Sequence, residues 1–253
     1  MSRTVVYTAM VLRNRASGYA GVNQESNSEI YLLTAEEGII RATVFGGPKS
    51  KLRSHSAPYN SGQVWIYRDP AKDYAKLSDF DVHSWRPGLR ELYERTMAAA
   101  GTAGTILSSH GGGGDWASAL HLAASTLDAL ENANEELCSR LLLQFLWRWA
   151  EFLGIQPHLD CCTSCGKTPA DSPLWFSAHE NSVLCGNCVH GSSSVPLLQL
   201  NPGSRRWLAA IGPLEPSLLH RYSMDNKSLN EAKSIVTAVM TSALGKRLTS
   251  WDW

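Results

Sequence analysis

The sequence predicts an α+β protein in which a small β-barrel over residues 1–85 precedes a mainly helical domain over residues 86–253. Before residue 86, β-branched and aromatic residues recur in short runs separated by turn-forming segments, a pattern typical of strands. After Pro87, apolar residues recur every three or four positions, which is typical of helices. Four cysteines in two close pairs indicate a metal-binding insert at about residues 155–200.

The barrel domain rests on five predicted strands, at residues 4–12, 28–34, 38–46, 63–69 and 74–85. The second and third strands form a hairpin around the turn AEEG. Segments 14–28 and 48–62 are polar and are expected to be loops. Five short strands within about 85 residues favour the OB-fold, which is a five-stranded barrel.

The second domain is predicted to contain helices at residues 89–100, 116–131, 135–153, 203–211 and 228–245. Asp115 is suited to cap the helix that begins at residue 116. Gly154 is suited to end the helix over 135–153. That helix is apolar on more than one face, which predicts that it is buried at the centre of the domain.

The composition excludes some classes of protein. The chain has 253 residues with 23 Lys and Arg against 23 Asp and Glu, so the whole chain is neutral and does not by itself indicate a polyanion partner. Residues 1–86 carry eleven basic against eight acidic residues, which makes the predicted barrel the more basic part. No segment approaches the ~20 apolar residues of a membrane span, and no export signal is recognisable. We therefore expect a cytoplasmic protein without membrane contact.

The four paired cysteines predict a zinc site. Cys162 and Cys165 form one Cys-x-x-Cys pair, Cys185 and Cys188 form the other, and 19 residues separate the pairs. This spacing is typical of tetrahedral zinc in a reducing compartment. Four thiolates leave no open coordination position, so we expect one zinc with a structural role. Neighbouring residues remain alternative ligands: Cys161, His158, His179 and His190.

A basic segment with interleaved aromatic residues lies between Glu37 and Asp69. It contains no acid, and its members are Arg41, Lys49, Lys51, Arg53 and Arg68, with Phe45, Tyr59, Trp65 and Tyr67 among them. Cations that follow phosphates and rings that stack on bases are how barrels of this kind hold single strands. The alternative is a solvated loop beside core aromatics. Trp65 and Tyr67 share one face of a strand, and that face can be the barrel interior.

No catalytic residue is assigned. The segments around residues 46–51 and 243–247 do not fit a phosphate-binding loop, and the metalloprotease, serine hydrolase and zinc deaminase signatures are missing. The sequence therefore predicts a protein that is not an enzyme.

Several segments in a fixed order resemble one known family. The barrel carries LLTAEEGIIRATVFGG followed by KSKLR, and PGLRELYERTMAAA opens the helical part. The long helix ends in FLWRWAEFLG just before the cysteine pairs, and LGKRLTS lies near the C-terminus. The order and nearly complete coverage of these features resemble the RecO family of bacterial recombination mediators.

The resemblance implies an OB-fold, a helical domain and a zinc knuckle. It further implies binding of single- and double-stranded DNA, annealing of complementary strands, and partnership with RecR and single-strand DNA-binding protein during recombinase loading at gaps. Arg41, Lys49, Lys51 and Arg53 resemble the basic strand-and-loop segment of that family, and the four cysteines resemble its knuckle.

Two other functions stay open from the residues alone. The first is a zinc-stabilised scaffold that binds only proteins, with its barrel as an interaction module. The second is a zinc hydrolase acting on nucleic acid, which a closed four-thiolate site disfavours.

Overall fold

The computed structural model describes residues 3–16, 27–46, 50–169, 171–189 and 197–251. The chain divides into two compact units, Met1–Asn132 and Ala133–Trp253. Among the described helices, none is both long enough and apolar enough to cross a membrane.

The first unit contains a closed barrel of five strands: β1 (Arg3–Ala16), β2 (Ser28–Thr34), β3 (Gly38–Val44), β4 (Ser61–Asp69) and β5 (Tyr74–Ser84). The strand order is β1-β2-β3-β5-β4, and β4 returns to pair with β1. The contact between β3 and β5 is parallel and the other pairings are antiparallel. This arrangement confirms the predicted OB-fold barrel.

Alternation of side chains explains the barrel. In β3, Ile40, Ala42 and Val44 are buried, whereas Arg41 between them is exposed. The inward side chains of all five strands form one apolar core: Tyr7, Ala9, Val11, Ile30, Leu32, Ile40, Ala42, Val44, Val64, Ile66, Leu77 and Phe80. Each large apolar side chain buried in this way stabilises the fold by about 1.5–3 kcal/mol.

The hairpin between β2 and β3 turns at residues 35–37, as predicted. Gly38 has φ of +72°, a conformation that side chains rarely adopt, and a Cβ there would meet the Trp116 ring at 2.8 Å. The hydroxyl of Thr34 donates to the Gly38 carbonyl over 2.9 Å and accepts from the Glu37 amide over 3.1 Å. Thr34 and Gly38 therefore fix the turn that sets the register of β3.

The two predicted loops are shorter than expected. Segment 48–62 was predicted to be a loop, but it contains helix α1 (Lys51–His55) and the start of β4. Leu52 packs against the barrel core, which is why this polar segment forms a helix. The first residues of segment 14–28 belong to β1, because the pairing of β1 with β2 continues to Ala16 and Ser28. Residues 17–26 of that segment lie outside the described residues.

Two further helices belong to the first unit, α2 (Tyr93–Ser108) and α3 (Trp116–Leu130). The capping prediction for α3 is confirmed, since the Asp115 carboxylate accepts from the Ser118 amide over 3.2 Å. Helix α2 was predicted at residues 89–100 but begins later, because Pro87–Arg90 form a 3-10 turn and Leu92 is extended. The predicted boundary after residue 85 marks the end of the barrel strands, whereas the compact unit extends to Asn132.

The second unit is built around helix α4 (Glu135–Phe152), which is buried on several faces as predicted. Helices α6 (Pro202–Ile211) and α7 (Asn226–Leu244) contact it. Gln144 on α4 donates to the carbonyls of Ile211 and Leu214, which ties the end of α6 to the central helix.

The cysteine-bearing insert contains a small sheet that the sequence did not predict. Its strands are β6 (Leu174–Ser177), β7 (Ser182–Cys185) and β8 (Leu197–Leu200), with β6 in the middle. A short helix, α5 (Gly186–Val189), follows β7. Each strand has only four residues, and so short a sequence shows no alternation that would distinguish a strand from a loop.

Candidate metal centre and nucleic-acid interface

The four predicted cysteine ligands converge at one point. The sulfur atoms of Cys162, Cys165, Cys185 and Cys188 all lie within 4.8 Å of one another. Cys162 and Cys185 are buried, Cys188 is half-buried and Cys165 is exposed. The site thus lies at the surface of the second unit, with part of it closed off from solvent.

These distances fit a tetrahedral thiolate site. Sulfurs about 2.3 Å from a central zinc would be about 3.8 Å from one another. The Sγ atoms of Cys165 and Cys185, which come from different pairs, are 3.8 Å apart. The donor set is all sulfur, which suits zinc rather than magnesium or calcium.

Two local structures present the thiols. The first pair lies on a tight turn in which the Gly166 amide donates to the Cys162 carbonyl and the Cys162 amide donates to the Lys167 carbonyl. Gly166 has φ of +69°, which a glycine adopts without strain. The second pair spans the end of β7 and helix α5, so Cys185 and Cys188 lie one helical turn apart.

The turn is anchored to the small sheet. The Thr163 amide donates to the Val183 carbonyl over 2.8 Å, and the Val183 amide donates to the Thr163 hydroxyl over 3.0 Å. This reciprocal pair joins the first cysteine turn to β7, which carries the second pair. The sheet therefore sets the distance between the two halves of the site.

The electrostatics of the cluster favour a bound cation. Burial opposes ionisation of the Cys162 thiol, but amides of Cys185, Cys165 and Ser164 outweigh it and lower its pKa to about 6. At Cys188, a hydrogen bond from Ser164 acts to lower the pKa, but the neighbouring thiols of Cys165 and Cys185 outweigh it and raise the pKa to about 12. Four thiolates this close repel one another, so full ionisation requires a positive ion between them.

The alternative ligands do not join this group. Among the described residues, the cluster contains neither Cys161 nor His158 nor His179. His190 lies outside the described residues. The Cys-x-x-Cys pairs are therefore the metal-ligand set that the geometry supports.

Arg41, the first predicted DNA-binding residue, lies on the outer face of the barrel. Its side chain is 64% exposed on β3, and its Nε lies 3.3 Å from a carboxylate oxygen of Glu29. Arg15 on β1 also binds Glu29, over 2.7 Å. Burial opposes ionisation of Glu29, but hydrogen bonds from Arg15 and Tyr31 together with the Arg41 charge hold its pKa below the usual value. Two arginines share one carboxylate, so this group of three side chains carries one net positive charge.

Lys51 and Arg53 lie on α1, where both are exposed on either side of the core-facing Leu52. The helix contacts β5, and His55 at its end lies 2.7 Å from the Phe80 carbonyl. Lys49 lies outside the described residues. The structure thus brings Lys51 and Arg53 together on one short helix and places Arg41 on a strand. DNA binding by these residues stays a prediction.

The question left open for Trp65 and Tyr67 is answered by the barrel. Val64 and Ile66 point into the core, so Trp65 and Tyr67 point outward, where both are half-buried. Tyr67 meets Lys76 of β5, whose Nζ lies 5.1 Å from the ring centroid. Sequence reasoning missed Lys76 because the basic segment was ended at Asp69. The alternation of Tyr74 and Lys76 on one face of β5 was the signal that could have found it.

Comparison with known proteins agrees with these features. The family profile described as "Recombination protein O C terminal" matches residues 116–252. A protein named DNA repair protein RecO from Myxococcus xanthus is 27% identical over 236 residues, covering 90% of each chain.

Two further relatives carry the same name. The protein from Alkaliphilus metalliredigens is 30% identical over 190 residues, which cover 73% of this chain and 71% of the relative. The protein from Pelotomaculum thermopropionicum is 25% identical over 245 residues, which cover 96% of this chain and 90% of the relative. With an OB-fold barrel, a helical unit and four convergent cysteines in the same chain, this protein belongs to the RecO family of DNA repair proteins.

Proposed function

We propose that this protein is a non-enzymatic mediator of DNA repair and recombination. It binds single- and double-stranded DNA, promotes annealing of complementary strands and helps load recombinase at gaps in the RecF pathway. The proposal is supported by membership of a DNA repair family and by an OB-fold barrel whose exposed cations lie on its outer face and on α1.

The observation that carries the proposal is a row of outward side chains around the barrel. Cross-strand pairing places Arg15 next to Glu29, Glu29 next to Thr43, and Thr43 next to Lys76. Lys76 in turn pairs with Tyr67 of β4. Arg41 lies two residues from Thr43 on the same outward face. A strand of DNA that follows this row meets cations on three of the five barrel strands.

The mechanism requires no covalent chemistry. Lysine and arginine neutralise phosphates and release the counterions that surround DNA, which drives binding at low salt. Two complementary strands repel each other through their phosphates, so neutralising both at once favours their pairing. Lys51 and Arg53 on α1, together with Arg41, are the residues proposed to do this.

We also propose that Cys162, Cys165, Cys185 and Cys188 hold one structural zinc. When bound, zinc supplies positive charge and fixed tetrahedral geometry to a closed site. The chain itself supplies the two anchored cysteine pairs, and the Thr163–Val183 hydrogen bonds hold them in register. The role of the ion is then to stabilise the insert, with the DNA held elsewhere.

The family resemblance supports two protein partners, RecR and single-strand DNA-binding protein. In this proposal, the contact with single-strand DNA-binding protein serves recombinase loading at gaps. We propose that the protein acts in the cytoplasm, without membrane contact.

The test is salt-dependent binding to fluorescently labelled single-stranded and duplex DNA, with annealing of complementary strands followed in parallel. Binding that falls steeply with salt, together with accelerated annealing, is the expected result. Absence of both at low salt would overturn the proposal.

The alternative is a protein-interaction scaffold that does not touch DNA. Zero net charge and the shared contact of Arg41 and Arg15 with Glu29 favour it. If this protein binds RecR but binds no DNA, the scaffold is supported.

A further inference from the structure

A cluster of aromatic rings lies on the outer face of the barrel, outside the apolar core. Its members are Phe45 next to the end of β3, Tyr67 on β4 and Tyr74 on β5, with Lys76 among them; we call these four residues the ring patch. Phe45 is 45% exposed, and the other three are half-buried. Their inward neighbours Val44, Ile66 and Ala75 contact the barrel core, so the rings themselves point away from it.

The four side chains contact one another in pairs. The ring centroids of Phe45 and Tyr74 are 6.4 Å apart with planes inclined by 56°. Lys76 Nζ lies 5.1 Å from the centroid of the Tyr67 ring. Tyr67 pairs across the strands with Lys76, which lies two residues from Tyr74 on the same face of β5, so the two pairs of side chains lie side by side. The ring patch is therefore one continuous surface of three rings and one cation.

The charges around the ring patch select the kind of partner. Lys76 lies within it, and Arg41 follows on the outward face of β3. Asp69, which pairs with Tyr74 across the strands, already accepts from the Ala71 amide and lies 4.0 Å from Lys72. A surface of rings with cations beside it fits a polyanion that carries exposed flat bases.

Single-stranded and duplex DNA differ in whether the faces of their bases are accessible to the ring patch. In a duplex the faces of the bases are stacked on one another, and a protein ring cannot reach them. In a single strand the faces are available, and stacking on an aromatic side chain is largely independent of sequence. Duplex DNA therefore offers the ring patch only its phosphates.

We propose that the ring patch stacks unpaired bases and gives this protein a preference for single-stranded over duplex DNA. This inference rests on the DNA binding proposed above and adds the part of the DNA that the barrel recognises. Arg41, Lys51 and Arg53 contact phosphates in either form of DNA, whereas Phe45, Tyr67 and Tyr74 act only on single strands.

The experiment compares the full-length protein with a variant carrying Phe45→Ala, Tyr67→Ala and Tyr74→Ala. Three labelled DNAs of equal length are used: a single strand, its duplex, and a single strand of abasic sites. The variant is expected to bind the single strand at least roughly fivefold more weakly for each ring that contacts a base. Its affinity for duplex and for abasic DNA should stay within about twofold of the original, because phosphate contacts remain.

Two controls separate stacking from folding. A variant with Tyr67→Phe and Tyr74→Phe keeps the rings and is expected to bind the single strand normally. Tyr93→Ala removes an exposed ring on α2, outside the ring patch, and should change nothing. If the triple variant does not fold, as judged by its melting temperature, Phe45→Ala alone tests the same point because Phe45 is already largely exposed.

The outcomes are distinguishable. Unchanged single-strand affinity in a folded triple variant overturns the stacking role while leaving phosphate-based DNA binding intact. Equal weakening for all three DNAs also overturns it, because stacking cannot act on abasic DNA. If the unaltered protein binds none of the three DNAs, the DNA-binding proposal itself is overturned and the stacking role with it.

Discussion

The barrel and the cysteine-bearing insert are both β structures, but they are held together in different ways. The barrel distributes its stability over an apolar core to which all five strands contribute. The insert has three strands of four residues each and brings four thiols to within 4.8 Å of one another. In the barrel, many buried side chains contribute to stability. In the insert, a few side chains determine the geometry.

The difference teaches where each region is vulnerable. A closed barrel leaves no edge strand, so loss of one apolar side chain leaves the hydrogen bonding complete. A metal site stabilises its surroundings only while every ligand is present, since its binding energy is folding energy. Changes to the metal site should therefore act on the second unit, and changes within the first unit should leave the metal in place.

The largest effect is expected from Cys165→Ser, or from removal of zinc by a chelator. Loss of the metal should lower the free energy of unfolding of the second unit by more than about 4 kcal/mol. Elemental analysis should find one zinc in the original protein and none in the variant, and calorimetry should show a lower transition. Cys161→Ser is the matched control, because the Cys161 thiol lies outside the cluster. This variant should retain the zinc. Protein purified under reducing conditions without any metal would contradict the zinc assignment.

The next largest effect is expected from Arg86→Met in the first unit. The Arg86 side chain is 2% exposed and donates to Asp128 over 2.6 Å, to the Tyr59 carbonyl over 2.6 Å and to the Ser61 hydroxyl over 3.0 Å. Losing these bonds should destabilise the first unit by about 2–3 kcal/mol in chemical denaturation. Zinc content should not change.

Arg90→Met is the control for that variant, since Arg90 ends the 3-10 turn that follows Arg86 and is exposed. We expect it to cost less than about 0.5 kcal/mol. Equal destabilisation by both substitutions would show that the buried bonds of Arg86 are not the cause.

A smaller effect is expected when Lys49, Lys51 and Arg53 are changed together to Ala. DNA affinity at low salt should fall by at least about tenfold, or about 1.4 kcal/mol. The slope of log affinity against log salt should become shallower by about two for single strands if all three contact phosphates. The melting temperature should not change, because Lys51 and Arg53 are exposed.

The control for this variant changes Arg221, Lys227 and Lys246 to Ala, which removes the same charge from exposed positions of the second unit. Its salt slope should match that of the original protein. An unchanged slope in the α1 variant would remove this segment from the interface.

The smallest effect is expected from Tyr7→Phe. Burial and the hydrogen bond from the Tyr7 hydroxyl to Glu37 raise the pKa of Tyr7 from 10.0 to about 12. Between these values the unfolded chain loses the phenol proton while the folded barrel keeps it, so stability falls as pH rises from 10 toward 12. The Phe variant should lose about 1 kcal/mol at neutral pH and show a weaker decline at alkaline pH. An identical alkaline decline in both proteins would contradict this.

The sequence predicted the features that local patterns control. The Cys-x-x-Cys spacing, the Asp115 cap and the apolar face of the central helix each depend on residues within a few turns of one another. The β2–β3 hairpin was predicted for the same reason, since Thr34 and Gly38 lie on either side of one turn.

Features that depend on distant contacts were missed. Helix α1 is polar except for Leu52, and it is stabilised by the packing of that leucine against the distant residues of the barrel core. The hydrogen bonds of Arg86 were not predicted, because its partners Tyr59 and Asp128 lie 27 and 42 residues away in the chain. The small sheet was missed because its strands are too short for periodicity to be visible. Phe45, Tyr74 and Lys76 come together only when β3 and β5 pair.

The length of β1 has a consequence for how the chain is made. Its first half pairs with β4, as in the match of Arg3 with Arg68, and its second half pairs with β2. A ribosome releases β1 and β2 well before β4, at about 5–20 residues per second. For some seconds, then, half of β1 is an open strand edge that can pair with another nascent chain. Crowded polysomes are thus the setting in which this barrel is most exposed to aggregation.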